Sequence, residues 1–314
     1  MKNQLMLLLT LLLTTSFASA AGQVRDYPVD QIAPNTYVIH GPLGYPTVAN
    51  QGFMNNPGFV VTGSGVVLVD PGSSVQAGRM VLQQIATVTG KPVTHVINTH
   101  VHGDHWLGNQ AVIERFPDAV LLAHPEMIAK AHAGAAAQWV NLMEAATEGF
   151  TAGTQAIIPE LSTSEIGRLE SGGFTFRFHA PEHAHSGTDV MIEVVEESVV
   201  FAGDNVLNNR IARMDDATFK GNIAACEVAA KLAAAHYIPG HGASGDISIV
   251  TGFQRYLTTL YSEVERLYAE ELTDFEMKPE IVEKLQPYAN WVNFEDEVGR
   301  HISLAILEIE RESF

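Results

Sequence analysis

Thr99-His100-Val101-His102-Gly103-Asp104-His105-Trp106 crowds three imidazoles and a carboxylate into the six positions from His100 to His105, directly after the apolar run Val93 to Ile97. That run reads as a buried strand, so the cluster stands where a strand ends and a loop begins. Alternation along an extended segment sends His100 and His102 the same way. A turn at Gly103 then aims Asp104 and His105 at a neighbouring point. Neutral imidazole and carboxylate are nitrogen and oxygen donors to zinc, at about 2.0–2.2 Å.

Three further segments share this character. His183-Ala184-His185-Ser186-Gly187-Thr188-Asp189 lies between two strand-like runs. Phe201-Ala202-Gly203-Asp204 puts a carboxylate at a strand end, and Ile238-Pro239-Gly240-His241-Gly242 puts a histidine on a glycine-rich turn after a short strand. Packing imidazoles this closely without a metal would set like charges against one another and gain nothing. The clustered set is therefore read as a metal site. The isolated His40, His95, His124, His132, His179, His236 and His301 are read as surface or satisfied core residues.

The series His-x-His-x-Asp-His, a later His, Gly-Asp and Pro-Gly-His-Gly resembles the ordered signature of the metallo-β-lactamase superfamily. The resemblance extends upstream to Val69-Asp70-Pro71-Gly72 and covers about residues 35 to 242. It implies a mixed α/β fold, an αββα sandwich with a two-metal cleft at one edge. It further implies that His100, His102 and His185 hold one zinc, that Asp104, His105 and His241 hold a second, and that Asp204 and a hydroxide bridge them. Asp70 would stand beside these ligands and orient their loop. Iron or manganese are the alternative metals.

The sequence departs from the family's usual His-Thr-x-Gly-Asp at its third ligand segment, because Gly187 comes one place early. His183 thereby becomes a competitor of His185. The retained Ala-His-Ser context and the spacing to Asp189 favour His185.

By resemblance the reaction is hydrolysis at a carbonyl by a metal-held hydroxide, with Asp104 orienting it and passing a proton to the leaving group. An aspartate at 204 resembles the thioesterase, lactonase and glyoxalase II-like branches. Many true β-lactamases have Cys or Ser there, often with Lys three places on, where this chain has Leu207. The expectation is an ester, thioester or lactone substrate, with β-lactam hydrolysis as the alternative. Two other readings stand beside it: an iron-dependent oxidoreductase of the same fold, and a non-catalytic periplasmic maturation partner. Arg210 and Arg213, the nearest basic residues after Asp204, are candidates to clamp a substrate carboxylate. Leu43 to Met54 and Gly149 to Ser164 are candidate flaps over the cleft.

The rest of the chain frames this reading. The 314 residues carry a net charge of −18 from 36 acidic and 18 basic side chains, which sets nucleic acid and anionic membrane surfaces at a disadvantage as partners. A small-molecule substrate is expected; no oligomeric state is implied. Lys2, the run Leu5 to Leu13 and Ala18-Ser19-Ala20 read as a signal peptide over 1–20, giving a periplasmic or secreted product without a membrane anchor. The single cysteine, Cys226, excludes an internal disulfide framework.

The metal-site domain is placed at 21–246 and a C-terminal helical extension at 247–314. In that extension Ile249, Phe253, Leu257, Leu260, Val264 and Leu267 recur at helical spacing, and the helices are expected simply to pack on the main domain. Lys278-Pro279-Glu280-Ile281-Val282 and Tyr288-Ala289-Asn290-Trp291 resemble the tail of exported zinc hydrolases associated with quinoprotein systems. Helices are also expected over Ser73 to Val88, Asn109 to Phe116, Pro125 to Glu148 and Ile223 to Ala235.

Overall fold

A computed structural model describes residues 22–313; the signal-peptide reading of 1–20 lies outside the described residues. The chain begins with four short strands, β1 (Val29–Gln31), β2 (Thr36–Ile39), β3 (Gly58–Val61) and β4 (Val66–Val69). There follow α1 (Val75–Val88), β5 (Val93–Ile97), α2 (Gly103–Trp106), α3 (Asn109–Arg115), β6 (Val120–Ala123), α4 (Pro125–Lys130), α5 (Ala136–Ala146), β7 (Leu161–Ser162) and α6 (Thr163–Ile166). The second half comprises β8 (Arg168–Ser171), β9 (Phe174–His179), β10 (Met191–Val194), β11 (Val199–Leu207), α7 (Phe219–Lys231) and β12 (His236–His241). Three helices end the chain: α8 (Ile247–Tyr268), α9 (Asp274–Lys284) and α10 (Phe294–Glu312).

β1 to β7 form one sheet in chain order, antiparallel from β1 to β4 and parallel from β4 to β7. The second sheet runs β12-β11-β10-β9-β8, with only β11 and β12 parallel. Continuous apolar strands such as Val66–Val69 belong to a sheet buried on both faces, and alternation divides their side chains. Val66 and Leu68 join Met80, Val81 and Ile85 of α1, whereas Val67 and Val69 meet Phe176, Ile192, Val199 and Phe201 of the other sheet. In β11, Val199 and Phe201 face that inter-sheet core; Val200 and Ala202 face the outer layer of α7, α8, α9 and α10. The result is the expected αββα sandwich.

Local chemistry sets several boundaries. Ser74 caps α1, its hydroxyl accepting from the Ala77 N–H at 3.1 Å. Thr218 caps α7 by accepting from Gly221 N–H, so this helix starts and ends earlier than the alanine-rich stretch alone suggests. The single helix expected over Pro125 to Glu148 is broken. A wide turn at Ala131–Ala135 separates α4 from α5, and Gly134 there has φ of +121°, which a side chain would oppose. Segment 149–164 is tied to α1 through Thr154 Oγ1, which accepts from Val75 N–H at 3.2 Å, and Ala152 O, which accepts from Gln76 Nε2. It does not line the cleft, which accords with ordinary loop packing for this candidate flap.

Candidate metal centre

β5 delivers Thr99 and His100 to the C-terminal edge of the first sheet; α2 then turns Asp104 and His105 back toward them. The turn is held by Trp106, whose indole N–H donates to Val101 O at 2.9 Å, and by Thr188, whose hydroxyl accepts from Val101 N–H at 3.1 Å. From the second sheet come His185, Asp204 on β11 and His241 at the end of β12. β11 continues well past the apolar run that predicts it. Its register against β12 shifts at Gly203 and again before Leu207, which lets a buried carboxylate interrupt an otherwise apolar strand. Gly240 makes the approach of β12 feasible: a Cβ there would lie 1.9 Å from Asp204 Oδ1.

The structure brings all seven predicted donors together. Three sets of ligand atoms lie within 4.8 Å of one another: His100, His102 and His185; Asp104, His105 and His241; and His100, His105 and Asp204. Asp204 spans the first two. Its Oδ1 is 3.3 Å from His105 Nε2, and its Oδ2 is 3.4 Å from both His185 Nε2 and His241 Nε2. Asp104 Oδ2 lies 3.2 Å from His241 Nε2 and 3.5 Å from His105 Nε2. His183 is exposed and turned elsewhere, its Nε2 bonding to Asp216 O at 2.7 Å.

The outward ring nitrogens determine what the inward ones carry. His105 Nδ1 is 2.8 Å from Asp70 Oδ2, and His241 Nδ1 is 2.8 Å from Met54 O. Both acceptors require an N–H. His100 Nδ1 bonds to Thr99 Oγ1 at 2.9 Å while that hydroxyl donates to Asp70, so this nitrogen also donates. His102 gives its Nε2 proton to Asp216 Oδ2 at 3.1 Å. The inward Nε2 atoms of His100, His105 and His241 are buried without hydrogen-bond partners. Converging buried lone pairs are costly unless a cation sits among them, and these donors therefore fit metal ions. His185 departs from the pattern, since its outward Nδ1 has no partner.

The electrostatics agree. Burial lowers the pKa of His100, and the neighbouring His105 and His102 lower it further. Burial likewise pushes His185 down to about 3 despite Asp204. Burial also opposes charge on His105, yet the carboxylates of Asp104, Asp204 and Asp70 outweigh it and hold that ring well above its usual value. Among protein groups alone, His105 is where positive charge is demanded. Burial raises the pKa of Asp204, but His241, His105 and His185 overcome it and keep the carboxylate ionised.

Asp70 sits where the resemblance implies, accepting from Thr99 N–H at 2.8 Å as well as from His105. Asp216, Thr99 and Met54 are contacts the sequence reading misses. Two act through backbone or hydroxyl groups that leave no motif, and Asp216 belongs to an unremarkable loop.

A cavity of about 230 Å³ opens on the centre, lined by His102, Asp104, His185 and Asp204. Tyr45, Pro46 and Met54 of the 43–54 segment line it, and so do Arg210 and Arg213.

The sequence model of the Metallo-beta-lactamase superfamily matches residues 50–241, more than half the chain. The chain belongs to this superfamily. A curated relative, the atrochrysone carboxyl ACP thioesterase of Emericella nidulans, is 24% identical over 232 residues, which are 72% of this chain and 62% of that protein. The chain thus spans less than two thirds of that relative's length. Among solved structures, a metallo-beta-lactamase from Pontibacter korlensis is 19% identical with a TM-score of 0.60, covering 74% of this chain and 99% of its own. The stereoselective inverting sec-alkylsulfatase Pisa1 from Pseudomonas sp. is 15% identical with a TM-score of 0.61, covering 80% of this chain and 44% of its own. These two likenesses are of fold. Metal binding is usual in the superfamily, and the His and Asp groups here can provide it.

Proposed function

We propose that the protein is an exported two-zinc hydrolase acting on a carbonyl in a small ester, thioester or lactone. The observation that carries this reading is the Asp204 carboxylate, which reaches toward His105 with one oxygen and toward His185 and His241 with the other. His100, His102 and His185 would hold one ion, and Asp104, His105 and His241 the other. When bound, zinc supplies Lewis acidity toward a carbonyl oxygen and activates water at neutral pH.

The chain's own groups supply the rest. Asp70 fixes the His105 ring and Asp216 the His102 ring, so the donors are aimed before substrate arrives. Asp104, beside His241 and lining the cavity, is the carboxylate stationed to take a proton from the nucleophile and return it to the leaving group. Burial raises the Asp104 pKa, but His105 and His241 more than offset this and hold it below the usual range, so it is ionised.

An aspartate at 204 and the buried Leu207 three places on support esters and thioesters over β-lactams, and the name of the thioesterase relative points the same way. Side-by-side kinetics on the zinc-loaded protein with a thioester, a lactone, an aryl ester and a cephalosporin test the ordering. The cephalosporin should show the lowest kcat/KM of the four. Finding it highest would show that the substrate class is wrong.

A further inference from the structure

Arg210 is only 4% exposed, and its Nε and Nη1 are buried with no hydrogen-bond partner. It lines the same cavity as the metal donors. A buried guanidinium without a carboxylate is costly, and among the described residues no ion pair joins Arg210 to one. Asp215 binds Arg300 and Asp216 binds His102. Glu297 of α10 accepts from the Tyr45 hydroxyl through Oε1, which also lies 3.7 Å from Arg213 Nε, while its Oε2 is buried without a hydrogen-bond partner and is the protein's own rival for Arg210. The two arginines therefore have different lives: Arg213 is exposed, paired with Glu297 and laid over the Tyr45 ring, whereas Arg210 is left unpaired inside.

The fold is built to keep it there. Arg210 forms a β-bridge with Val292 in the C-terminal extension. Ile211 N–H donates to Val292 O at 2.9 Å, and Val292 N–H donates to Asn209 O at 3.0 Å. His301 of α10 donates from Nε2 to Ala212 O at 2.8 Å. The extension thus holds the backbone of the arginine loop from Asn209 to Ala212, and does more than cover the sandwich. The cavity also has an apolar wall, from Trp139, Leu142 and Met143 of α5.

We propose that Arg210 recognises a carboxylate on the substrate, and that the substrate is a small amphipathic acid whose apolar part lies against α5. This rests on the hydrolase reading for the bond that is cleaved, but not for the recognition itself. The guanidinium fork matches a carboxylate, and its partner is missing from the protein because the substrate brings it. A site that tolerates an unpaired buried charge sacrifices stability for binding.

Calorimetric titration of the zinc-loaded protein with 4-phenylbutyrate and with the neutral 4-phenylbutanol tests this. The wild type should bind the acid at least about tenfold more tightly. Arg210→Met should bring the ratio below about twofold at unchanged zinc content, and Arg213→Ala should leave it as in wild type. A carboxylate held by the metals alone would keep its advantage in Arg210→Met, and that result overturns the proposal. Absence of any preference in the wild type also overturns it. Arg210→Met should melt at or above the wild-type temperature; a drop of several degrees would mean that Arg210 is a structural partner of Glu297 instead. Because binding is read directly, a protein that binds the acid but hydrolyses no ester would sink the hydrolase reading alone.

Discussion

His102 Nδ1 and His185 Nε2 meet at 3.0 Å, nitrogen facing nitrogen, with the His102 proton already given to Asp216 on the far side of the ring. Two such atoms draw together only around a proton or a cation. His183, two residues before His185, spends its Nε2 on a backbone carbonyl. His185→Ala should therefore lower metal content and activity far more than His183→Ala, checked by elemental analysis of both variants. If the His183 variant is the one that loses metal, the assignment is wrong. The donors were legible in the sequence because metal ligands must cluster, and clusters at strand ends stand out against isolated histidines. Their supports were less so. Met54 acts through its carbonyl and Thr99 through its hydroxyl, while Asp216 comes from a loop whose spacing to the ligands is arbitrary.

Among the elements, α10 ties the extension to the cleft through one histidine. His301 donates from Nε2 to Ala212 O, and its Nδ1 lies 2.8 Å from the Tyr256 hydroxyl. Burial pushes its pKa down to about 4, despite the hydrogen bond to Ala212. The unfolded chain binds this proton below about pH 6.5, whereas the folded chain does not until about pH 4. The group's contribution is therefore complete above pH 6.5 and is lost as pH falls toward 4, about 3 kcal/mol over the window. Denaturant titrations with zinc in excess should show the wild type losing stability more steeply than His301→Gln between pH 6.5 and 4; parallel curves would refute the linkage. The helical faces of the extension were readable from their periodicity. Their job was not, because Val292 and His301 hold the arginine loop by backbone bonds that no periodicity records. The break at Gly134 was missed for the same kind of reason, since an alanine-rich stretch reads as helix and the turn is a matter of one backbone angle.

At the scale of the whole molecule, the layered sandwich follows from apolar strands that alternate between two cores; the strand and helix pattern shows sheets covered by helices, and the family resemblance implies the αββα order. The C-terminal helices are harder to interpret from sequence, since an amphipathic face says that a helix packs but not what its other residues do. The chain's charge of −18 makes a lone buried cation in the cleft the more telling exception. Among the described residues no helix is long and apolar enough to cross a membrane. Export is proposed on the leader-like residues 1–20, and intact mass of protein recovered from an exporting host should place the new N-terminus near Ala21. A chain retaining those residues in a membrane fraction would contradict export.

Seven donors around Asp204 are arranged to hold a pair of metal ions. Elemental analysis of the protein, purified without added metal, counts those ions. Close to two equivalents of zinc per chain are expected, since seven donors exceed what one tetrahedral site can use. A single equivalent of iron would contradict that expectation and turn the reading toward redox chemistry.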